Sequence, residues 1–372
     1  MIFLINASNL KNGGGLQVAQ SICVELAKFP QHRFVVVLSP YISDEGIIFG
    51  NNTELYRYNI PHALKIMLTG RDAFLDGLVA EKKVEAVLTV FGPSIWRPKV
   101  PHLCGFARAQ LLIGSRLKVQ GSLLDNLKTK ITYAVWTWGF RRSSDTFYTE
   151  NAYISDMLPT LIKGAKVYTV TNYYSQVFDQ PERWRHDIQL PAFDGTTLLT
   201  VSSTAVHKNL RIMVPIVEYL ESKYPNFDFR FVLTCKEAPF ELPGRLKQHF
   251  VFVGKVDVSE CPHLYEQADI MFMPTLMECF TATYPEAMRM EVPIVTTDLE
   301  FARGLCGDAA CYYSAVDAKA AAKAIHKVAI DKEFAQQLIA AGKERLKKFD
   351  NYKQRAEKLI ALLEGMVQRY EI

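Results

Sequence analysis

Two glutamates eight residues apart, Glu278 and Glu286, are the residues whose types and spacing most clearly indicate chemistry in this chain. A short apolar run, Ile270–Phe272, leads through a proline into a polar turn before them, and a helical pattern opens near Thr281–Pro285. The unpaired N–H groups and positive dipole end of a helix N-terminus suit such a junction to binding phosphate. The spacing therefore predicts one ligand with an anionic centre and hydroxyl-rich ends, held by both carboxylates.

Four other pieces of sequence surround this pair in a recognisable order. FVFVGKV (250–256) and LYEQADIMFMPT (264–275) precede it, and EVPIVTTD (291–298) and GDAACYY (307–313) follow it. Together they resemble the Glu-x7-Glu signature of retaining glycosyltransferases, in particular family 4, the glycosyl transferases group 1. The resemblance implies a nucleoside-diphosphate sugar as donor, retention at the anomeric carbon, and no metal or other cofactor. No Asp-x-Asp tripeptide occurs in the sequence to hold a metal-bridged diphosphate.

The family usually has Glu-Gly-Phe-Gly at the first glutamate, whereas this chain has Glu278, Cys279, Phe280 and Thr281. Both glycines are thus replaced. The resemblance implies that Glu278 and the amides of the next three residues contact the transferred sugar. It also implies that Glu286 accepts hydrogen bonds from the ribose hydroxyls, which are charge-assisted bonds.

A lysine follows the strand-like segment LLTVSS (198–203), in the sequence Thr204-Ala-Val-His-Lys-Asn. The family places a diphosphate-binding lysine here, usually with an arginine about five residues before it. Lys208 matches the lysine, and Ser203 stands in place of the arginine. The resemblance implies that Lys208 stabilises charge on the departing nucleoside diphosphate, that His207 or a backbone N–H shares this task, and that Gly254 borders the base pocket.

A glycine cluster lies between the first apolar run and the first helical pattern. Gly13, Gly14 and Gly15 remove side chains where a backbone would approach a ligand. The cluster is not a G-x-G-x-x-G fingerprint, and no acidic residue follows at the spacing that a ribose needs, which argues against a dehydrogenase. By resemblance, Gly14 and Gly15 approach the donor diphosphate and leave room for the acceptor.

The acceptor side carries fewer signals. Glu150, in YTENAY, and Asn172, in VTNYY, lie at predicted strand ends and are candidate acceptor-side residues. Many relatives carry a histidine near the position of Phe106–Arg108, which this chain lacks, and His102 is interpreted as a core histidine. Since no residue is an obvious general base, our hypothesis is that the leaving phosphate accepts the acceptor proton.

Short apolar runs alternate with helical patterns along the whole chain, which predicts α/β structure with parallel sheets covered on both faces. Two such series predict two Rossmann-like doubly wound domains, and the arrangement resembles the GT-B fold, in which the two domains face a cleft. The predicted divisions are an acceptor domain at 1–172, a linker at 173–196, a donor domain at 197–350, and a C-terminal helix at 351–372 that packs back on the first domain. The predicted strands are Ile2–Asn6, Arg33–Leu38, Ala86–Val90, His102–Phe106, Thr146–Thr149, Lys166–Val170, Leu198–Val201, Asp228–Leu233, Phe250–Val253, Ile270–Met273 and Ile294–Thr296.

Composition fits a globular protein of two domains. The 372 residues are 49% hydrophobic and 22% charged, and the seven cysteines contain no C-x-x-C pair, so we expect reduced thiols and no zinc site. No apolar run is long enough for a spanning helix, and the chain begins directly with a strand pattern. We therefore expect a cytoplasmic protein.

The net charge of +4 is unevenly distributed. The stretch 115–142 holds six basic residues against one acid, together with Tyr133, Trp136 and Trp138. Two interpretations stay open: a peripheral membrane patch, which would place the protein at the inner face of the membrane, or an amphipathic helix pair whose aromatics pack inside. No nucleic-acid motif is present, and nucleic acid is not an expected partner.

The sequence thus predicts a hexosyltransferase-type enzyme that moves a sugar from a nucleotide-sugar donor to a glycan or lipid-linked glycan, as in polysaccharide or lipopolysaccharide assembly. Two alternatives are a sugar-nucleotide epimerase of the same fold and a binding homologue without turnover.

Overall fold

The computed structural model describes residues 1–11, 13–43, 47–114 and 123–370, with side chains left out at 123–127. The chain divides into two compact units. The first contains residues up to Asn172 and the C-terminal residues from Asp350, and the second is Tyr173–Phe349. Residues 173–196, predicted as a linker, thus belong to the second unit.

Each unit is built on one parallel sheet. The seven strands of the first are β1 (Ile2–Ala7), β2 (Arg33–Leu38), β3 (Thr53–Arg57), β4 (Ala86–Thr89), β5 (His102–Gly105), β6 (Thr146–Thr149) and β7 (Lys166–Thr169). The six strands of the second are β8 (Thr196–Thr200), β9 (Phe229–Leu233), β10 (Phe250–Phe252), β11 (Ile270–Met273), β12 (Ile294–Thr297) and β13 (Ala310–Tyr313).

Helices connect the strands. In the first unit they are α1 (Gly14–Leu26), α2 (Ala63–Thr69), α3 (Ala73–Glu81), α4 (Gln110–Ile113), α5 (Leu123–Ser143) and α6 (Ala152–Leu161). The second unit contains α7 (Met213–Lys223), α8 (Cys261–Glu266), α9 (Thr283–Arg289), α10 (Glu300–Cys306), α11 (Ala318–Ile330) and α12 (Lys332–Leu346). The chain returns to the first unit as α13 (Tyr352–Tyr370).

The strand order of both sheets is of the Rossmann type. The first sheet runs β3-β2-β1-β4-β5-β6-β7 and the second β10-β9-β8-β11-β12-β13. The order reverses between β1 and β4 in one sheet and between β8 and β11 in the other. The prediction of two doubly wound parallel sheets is confirmed.

Burial on both faces explains why the strands read as unbroken apolar runs. Along β1, Phe3 and Ile5 join a core that includes Leu359 and Leu363 of α13. Leu4 faces the opposite way, into a second core beneath α2 and α3. Each such side chain contributes roughly 1.5–3 kcal/mol when fully buried, so helices are needed on both faces of the sheet.

Two strands of the structure are absent from the sequence prediction, and both are edge strands. β3 has the sequence TELYR and only partly buried or exposed residues, so it lacks the apolar run that marks a central strand. β13, ACYY, is half buried. Edge strands are covered less completely, which weakens the pattern by which they are recognised. In the part of the chain that the structure describes, no helix is long and apolar enough to cross a membrane.

Candidate functional site

The reversal of strand order in the second sheet lies between β8 and β11. In open α/β sheets, ligands bind outside the carboxyl ends of the strands at such a reversal. Lys208 follows β8 and Glu278 follows β11, so the topology brings the two predicted catalytic residues to one place from positions 70 residues apart.

Lys208 and Glu278 form an ion pair at this reversal. Lys208 Nζ donates to Glu278 Oε1 over 2.6 Å, and the two side chains are only 13% and 11% exposed. The hydroxyl of Thr275 donates to the same oxygen over 2.8 Å. Among the described residues, all bonds to this carboxylate involve Oε1. Glu278 Oε2 therefore remains available to a ligand.

The backbone holds the loops that carry this pair together. Lys208 is the last residue of a short 3-10 helix, Val206–Lys208, and Asn209 after it adopts the left-handed region at φ 53°. Leu276 N donates to His207 O over 2.8 Å, which joins the loop after β11 to the loop after β8. The ion pair is thus supported by a main-chain bond between the same two loops.

His207 is partly buried beside the pair. Burial lowers the pKa of its imidazole, Glu278 opposes this, and Lys208 lowers the pKa further. The ring is therefore neutral at neutral pH. It can donate one hydrogen bond to an anion but adds no positive charge, so of His207 and Lys208 only the lysine is a cation.

Ser203 and Gly254 follow β8 and β10, the two strands on either side of β9. Ser203 is exposed, and its carbonyl accepts from the Ser202 hydroxyl over 3.0 Å. Gly254 has φ +80° and donates its N–H to Cys235 O over 3.0 Å. The positive φ favours glycine there, and space is not the constraint, since an added Cβ would meet nothing within 4 Å.

The residues that replace the family's two glycines pack into the protein. Cys279 is 7% exposed, and the Thr281 hydroxyl is hydrogen-bonded to the hydroxyl of Thr283 at the start of α9. Between them the ring of Phe280 lies edge-on to Phe349, with centroids 6.0 Å apart. The added side chains are therefore accommodated inside the unit.

Glu286 lies in the first turn of α9 and is 6% exposed. Burial raises the pKa of its carboxyl to about 7, opposed by a hydrogen bond that the Tyr265 hydroxyl donates to Oε2 over 3.1 Å. Glu278 and Glu286 thus share one segment but have different partners. α9 has only seven residues, so its dipole adds little to phosphate binding. Of the groups considered for this site, Lys208 is therefore the main positive charge for a phosphate.

In the first unit, the glycine cluster lies where the first sheet reverses. Gly13, at φ +75°, precedes α1, and Gly14 and Gly15 are its first residues. An added Cβ at Gly14 would meet nothing within 4 Å, whereas one at Gly15 would lie 3.4 Å from Phe91 Cδ2. Asn9 Nδ2 donates to Phe91 O over 2.7 Å, which links the loop after β1 to the end of β4.

Glu150 and Asn172, the predicted acceptor-side residues, follow β6 and β7 and are both buried. Asn172 Oδ1 accepts a hydrogen bond from the guanidinium of Arg355 in α13. Burial raises the pKa of Glu150 to about 7, and Arg355 opposes this rise. Within the described chain Glu150 Oε1 has no hydrogen-bond partner. Both residues thus belong to a buried polar cluster with α13, and their contact with an acceptor stays a prediction.

His102 is buried at the start of β5. Its Nε2 lies 2.8 Å from Thr89 Oγ1 and its Nδ1 lies 2.8 Å from Ser143 O, so Nδ1 carries the proton. Burial lowers the pKa to about 4. The geometry is that of a core histidine.

The basic and aromatic stretch at 115–142 is described in part, and residues 115–122 lie outside the described ranges. On α5, Ile131, Val135 and Trp138 are large apolar residues that are more than one third exposed. Trp136 instead lies under the guanidinium of Arg108, 4.3 Å from its ring centroid. The aromatic side chains therefore divide between an exposed face and a packed one.

Three supporting residues were not singled out from the sequence: Thr275 beneath Glu278, Tyr265 beneath Glu286, and Arg355 beside Asn172. The first two fall inside the motif LYEQADIMFMPT, which was the sequence signal that could have identified them.

One group of described residues consists of side chains that could bind a metal ion, namely His186, His263 and Glu266, with ligand atoms within 4.8 Å of one another. It lies partly on α8, and the hydrogen bonds of His263 within the described chain run to Gln189 and Glu266, away from the ion pair.

Comparisons with known proteins agree with the observed fold. Residues 195–331 match the family model for glycosyl transferases group 1. Similar solved structures include sucrose-phosphate synthase from Thermosynechococcus elongatus, at 16% identity and TM-score 0.71, with 99% of each chain covered. Anabaena HepE in complex with UDP and glucose has 12% identity and TM-score 0.64 over 98% of this chain and 99% of that one. A pneumococcal O-GlcNAc transferase in complex with UDP and GlcNAc has 10% identity and TM-score 0.62 over 98% and 99%. No curated protein matches the sequence.

These similarities define a chain with the GT-B glycosyltransferase fold, as predicted. The match over 195–331 supports the predicted resemblance at the level of the glycosyl transferases group 1. Retention and membership of family 4 stay predictions.

Proposed function

We propose that this protein is a hexosyltransferase that moves a sugar from a nucleoside-diphosphate sugar to a hydroxyl of a glycan or lipid-linked glycan. The observation that carries the proposal is the shielded Lys208–Glu278 ion pair at the carboxyl edge of the second sheet, where the strand order reverses. A nucleotide sugar needs a cation for its diphosphate and an acceptor of hydrogen bonds for its sugar, and this pair supplies both.

Lys208 is the diphosphate ligand in this proposal. In the free protein Glu278 compensates its charge, and the arriving diphosphate competes for the same ammonium group. As the bond between the anomeric carbon and the phosphate oxygen breaks, negative charge accumulates on the nucleoside diphosphate. A cation already fixed by Glu278, whose carboxylate is held in turn by Thr275, stabilises that charge without reorganisation.

Glu278 orients the transferred sugar through Oε2, the oxygen that the protein leaves available. Its other oxygen is held by Lys208 and Thr275, so the carboxylate enters the reaction with a fixed direction. Hydrogen bonds from sugar hydroxyls to an ionised carboxylate are charge-assisted and therefore orient the ring well.

Glu286 is the proposed ribose ligand. Its raised pKa means that part of the population is protonated near pH 7. Two ribose hydroxyls donating to the carboxylate favour its ionised form. Donor binding should therefore lower the pKa of Glu286 and release a fraction of a proton.

The transfer step follows a front-face route with retention. The acceptor oxygen bonds to the anomeric carbon on the face that the phosphate leaves, and the acceptor proton passes to a phosphate oxygen. This route requires no protein base, in keeping with the core position of His102. Product NMR tests it, since an inverted anomer would contradict retention.

Two observations guide the choice of substrates. Two of the similar structures contain UDP as a bound ligand, so uridine is the first base to test. The exposed apolar side chains of α5, next to basic residues, favour a lipid-linked acceptor over a soluble one. The enzyme would then work at the inner face of a membrane.

A thermal-shift panel of UDP, GDP, ADP and their sugars tests the proposal directly. One nucleotide class should raise the melting temperature by mass action, and Lys208→Met should remove most of that rise. Lys323→Met on α11, which removes an exposed lysine from the same unit, is the matched control and should retain the rise. If no nucleoside diphosphate or sugar nucleotide shifts the melting temperature, the proposal is wrong.

Incubation with the identified donor separates transfer from the two alternatives. An epimerase converts the donor sugar without any acceptor, and a binding homologue releases no nucleoside diphosphate under any condition. The proposed enzyme releases nucleoside diphosphate in proportion to added acceptor.

A further inference from the structure

The first unit contains a basic cavity of about 850 Å³ at the amino edge of its sheet. It lies beside the residues that begin β5, β6 and β7, namely His102, Thr146 and Lys166. The glycine cluster lies at the opposite, carboxyl edge of the same sheet. The cavity is therefore separate from every residue proposed above for sugar transfer.

Six cationic side chains from five segments of the chain line this cavity. They are Arg71, Arg97, Lys99, Arg142, Lys166 and Arg369. Asp145 is the one acidic residue among the lining residues. The lining thus carries an excess of five positive charges, more than the +4 of the whole chain.

Most of these cations have no acidic partner. Arg71 is paired with Asp76 over 3.0 Å. In the described part of the chain, no carboxylate lies within 4.0 Å of the other five cations. Like charges gathered in one concave space raise its positive potential, and a bound anion would offset that cost.

Gly70 lies beside two of the arginines, Arg97 and Arg142. It ends α2 in the left-handed region, at φ 71°, and accepts a hydrogen bond from Arg97 N over 2.8 Å. A Cβ added at Gly70 would lie 3.4 Å from Arg97 Cβ and 3.7 Å from Arg142 Nε. These are ordinary van der Waals distances, so Gly70 contacts both arginine side chains, and its positive φ is what favours glycine there.

Arg142 is also positioned from its own helix. Its guanidinium lies over the ring of Trp138, 5.2 Å from the centroid, one turn earlier on α5. A side chain already held in place loses less freedom when it binds a ligand. The planar guanidinium fork matches phosphate oxygens in a bidentate manner, which an ammonium group cannot do.

We propose that this cavity binds a phosphate-bearing anion, held by Arg97, Lys99 and Arg142. A soluble phosphate compound and the head group of an anionic phospholipid share this chemistry. The exposed apolar residues Val135 and Trp138 on α5, beside Arg142, would lie against the acyl region if the ligand is a lipid.

The proposal is tested by comparing two variants that each lose the same number of positive charges. Arg97→Gln, Lys99→Gln and Arg142→Gln are combined in the cavity variant. Lys319→Gln, Lys323→Gln and Lys332→Gln are combined in the control, which removes three exposed lysines from the second unit. Both variants carry Lys208→Met as well, so that the difference between them reports the cavity whether or not Lys208 binds a diphosphate.

Two probes distinguish the sources of the phosphate. Calorimetric titration with inorganic pyrophosphate measures a soluble ligand, and co-sedimentation with phosphatidylcholine vesicles, with and without phosphatidylglycerol, measures a head group. We expect the cavity variant to bind at least one probe roughly tenfold or more weakly than the control, because three charge-assisted contacts are lost. A loss with pyrophosphate alone identifies a soluble ligand, and a loss with phosphatidylglycerol vesicles alone identifies a lipid.

Binding of both probes within about twofold of the control would overturn the proposal. Circular dichroism and the melting temperature establish that each variant is folded. Should the cavity variant fail to fold, Lys99→Gln with Lys166→Gln replaces it, since both side chains are exposed and lack carboxylate partners among the described residues. That pair must then show the same selective loss.

Discussion

The two sheets share one strand order, yet the chemistry at their reversals differs. At the second reversal, between β8 and β11, Lys208 and Glu278 face each other as a shielded ion pair. At the first, between β1 and β4, the loops carry glycines and are joined by an uncharged bond from Asn9 to Phe91 O. Strand order thus determines where a site forms, and loop residues determine its chemistry. The reversal in the second sheet carries an ion pair, whereas the reversal in the first sheet carries glycines that leave open space.

A second contrast concerns two buried carboxyl groups whose pKa is raised, Glu150 in the first unit and Glu286 in the second. Burial raises the pKa of both Glu286 and Glu150 to about 7. Glu286 is held by the neutral hydroxyl of Tyr265, whereas the nearest opposing influence on Glu150 is the cation Arg355. Similar pKa values therefore arise beside different partners, and only the carboxyl in the second unit adjoins the candidate donor site.

The largest effect should follow from removing charge at the second reversal. Glu278→Gln keeps the shape of the side chain but loses the ion pair with Lys208 and the charge-assisted bonds to the sugar. We expect kcat/KM to fall roughly 10²–10³-fold, as for other groups that stabilise a transition state electrostatically. Release of nucleoside diphosphate from the identified donor measures it.

Glu241→Gln is the matched control, because Glu241 is exposed in the same unit. It should leave turnover unchanged. Lys208→Met combined with Glu278→Gln should cost much less than the sum of the two single changes, since both remove the same pair. Additive losses of kcat/KM would show that Lys208 and Glu278 act separately. The ion pair would then no longer distinguish the reversal of the second sheet from that of the first.

An intermediate effect is expected on the pH dependence of stability. A carboxyl whose folded pKa is raised binds protons more tightly when folded, so the free energy of unfolding falls as pH rises from 4.5 to about 7. For each group the fall amounts to about 1–3 kcal/mol. Glu286→Gln and Glu150→Gln should each remove part of it, as measured by denaturant unfolding at several pH values.

Nucleotide affinity then distinguishes the two carboxyls. Glu286→Gln should also weaken donor binding, because the ribose loses a charged acceptor, whereas Glu150→Gln should not. Equal loss of donor affinity in both variants would contradict the assignment of the ribose contact to the second unit alone.

Much of this architecture could be predicted from the sequence, because buried parallel strands appear there as unbroken apolar runs. Eleven of the strands were therefore expected at or near their observed positions within a doubly wound arrangement, and the C-terminal helix predicted at 351–372 is observed as Tyr352–Tyr370. The edge strands β3 and β13 were missed because partial exposure dilutes their apolar pattern. The spacing of the two glutamates and the position of Lys208 also pointed to the second sheet.

Side-chain partners are the part that sequence spacing does not supply. The contact of Lys208 with Glu278 joins residues 70 positions apart and depends on strand adjacency. Likewise, Asn172 meets Arg355 only because α13 returns to the first unit. Glu150 and Asn172 look like site residues by position, but their burial in this cluster is visible only in three dimensions. The basic cavity combines five distant segments, so the local charge run at 115–142 indicated just one of its residues, Arg142.

The smallest expected effect concerns the space at the first reversal. A methyl group at Gly14 would meet no atom within 4 Å, and the residue is already helical, so Gly14→Ala should leave the melting temperature unchanged or slightly higher. Turnover should nevertheless fall roughly tenfold, a loss of about 1.4 kcal/mol, because the sequence predicts that this space is left for donor and acceptor. Gly13→Ala is the counterpart: at φ +75° it should destabilise the fold by about 1 kcal/mol. Unchanged turnover in a normally folded Gly14→Ala protein would mean that the first reversal, although built on the same strand order, takes no part in the reaction.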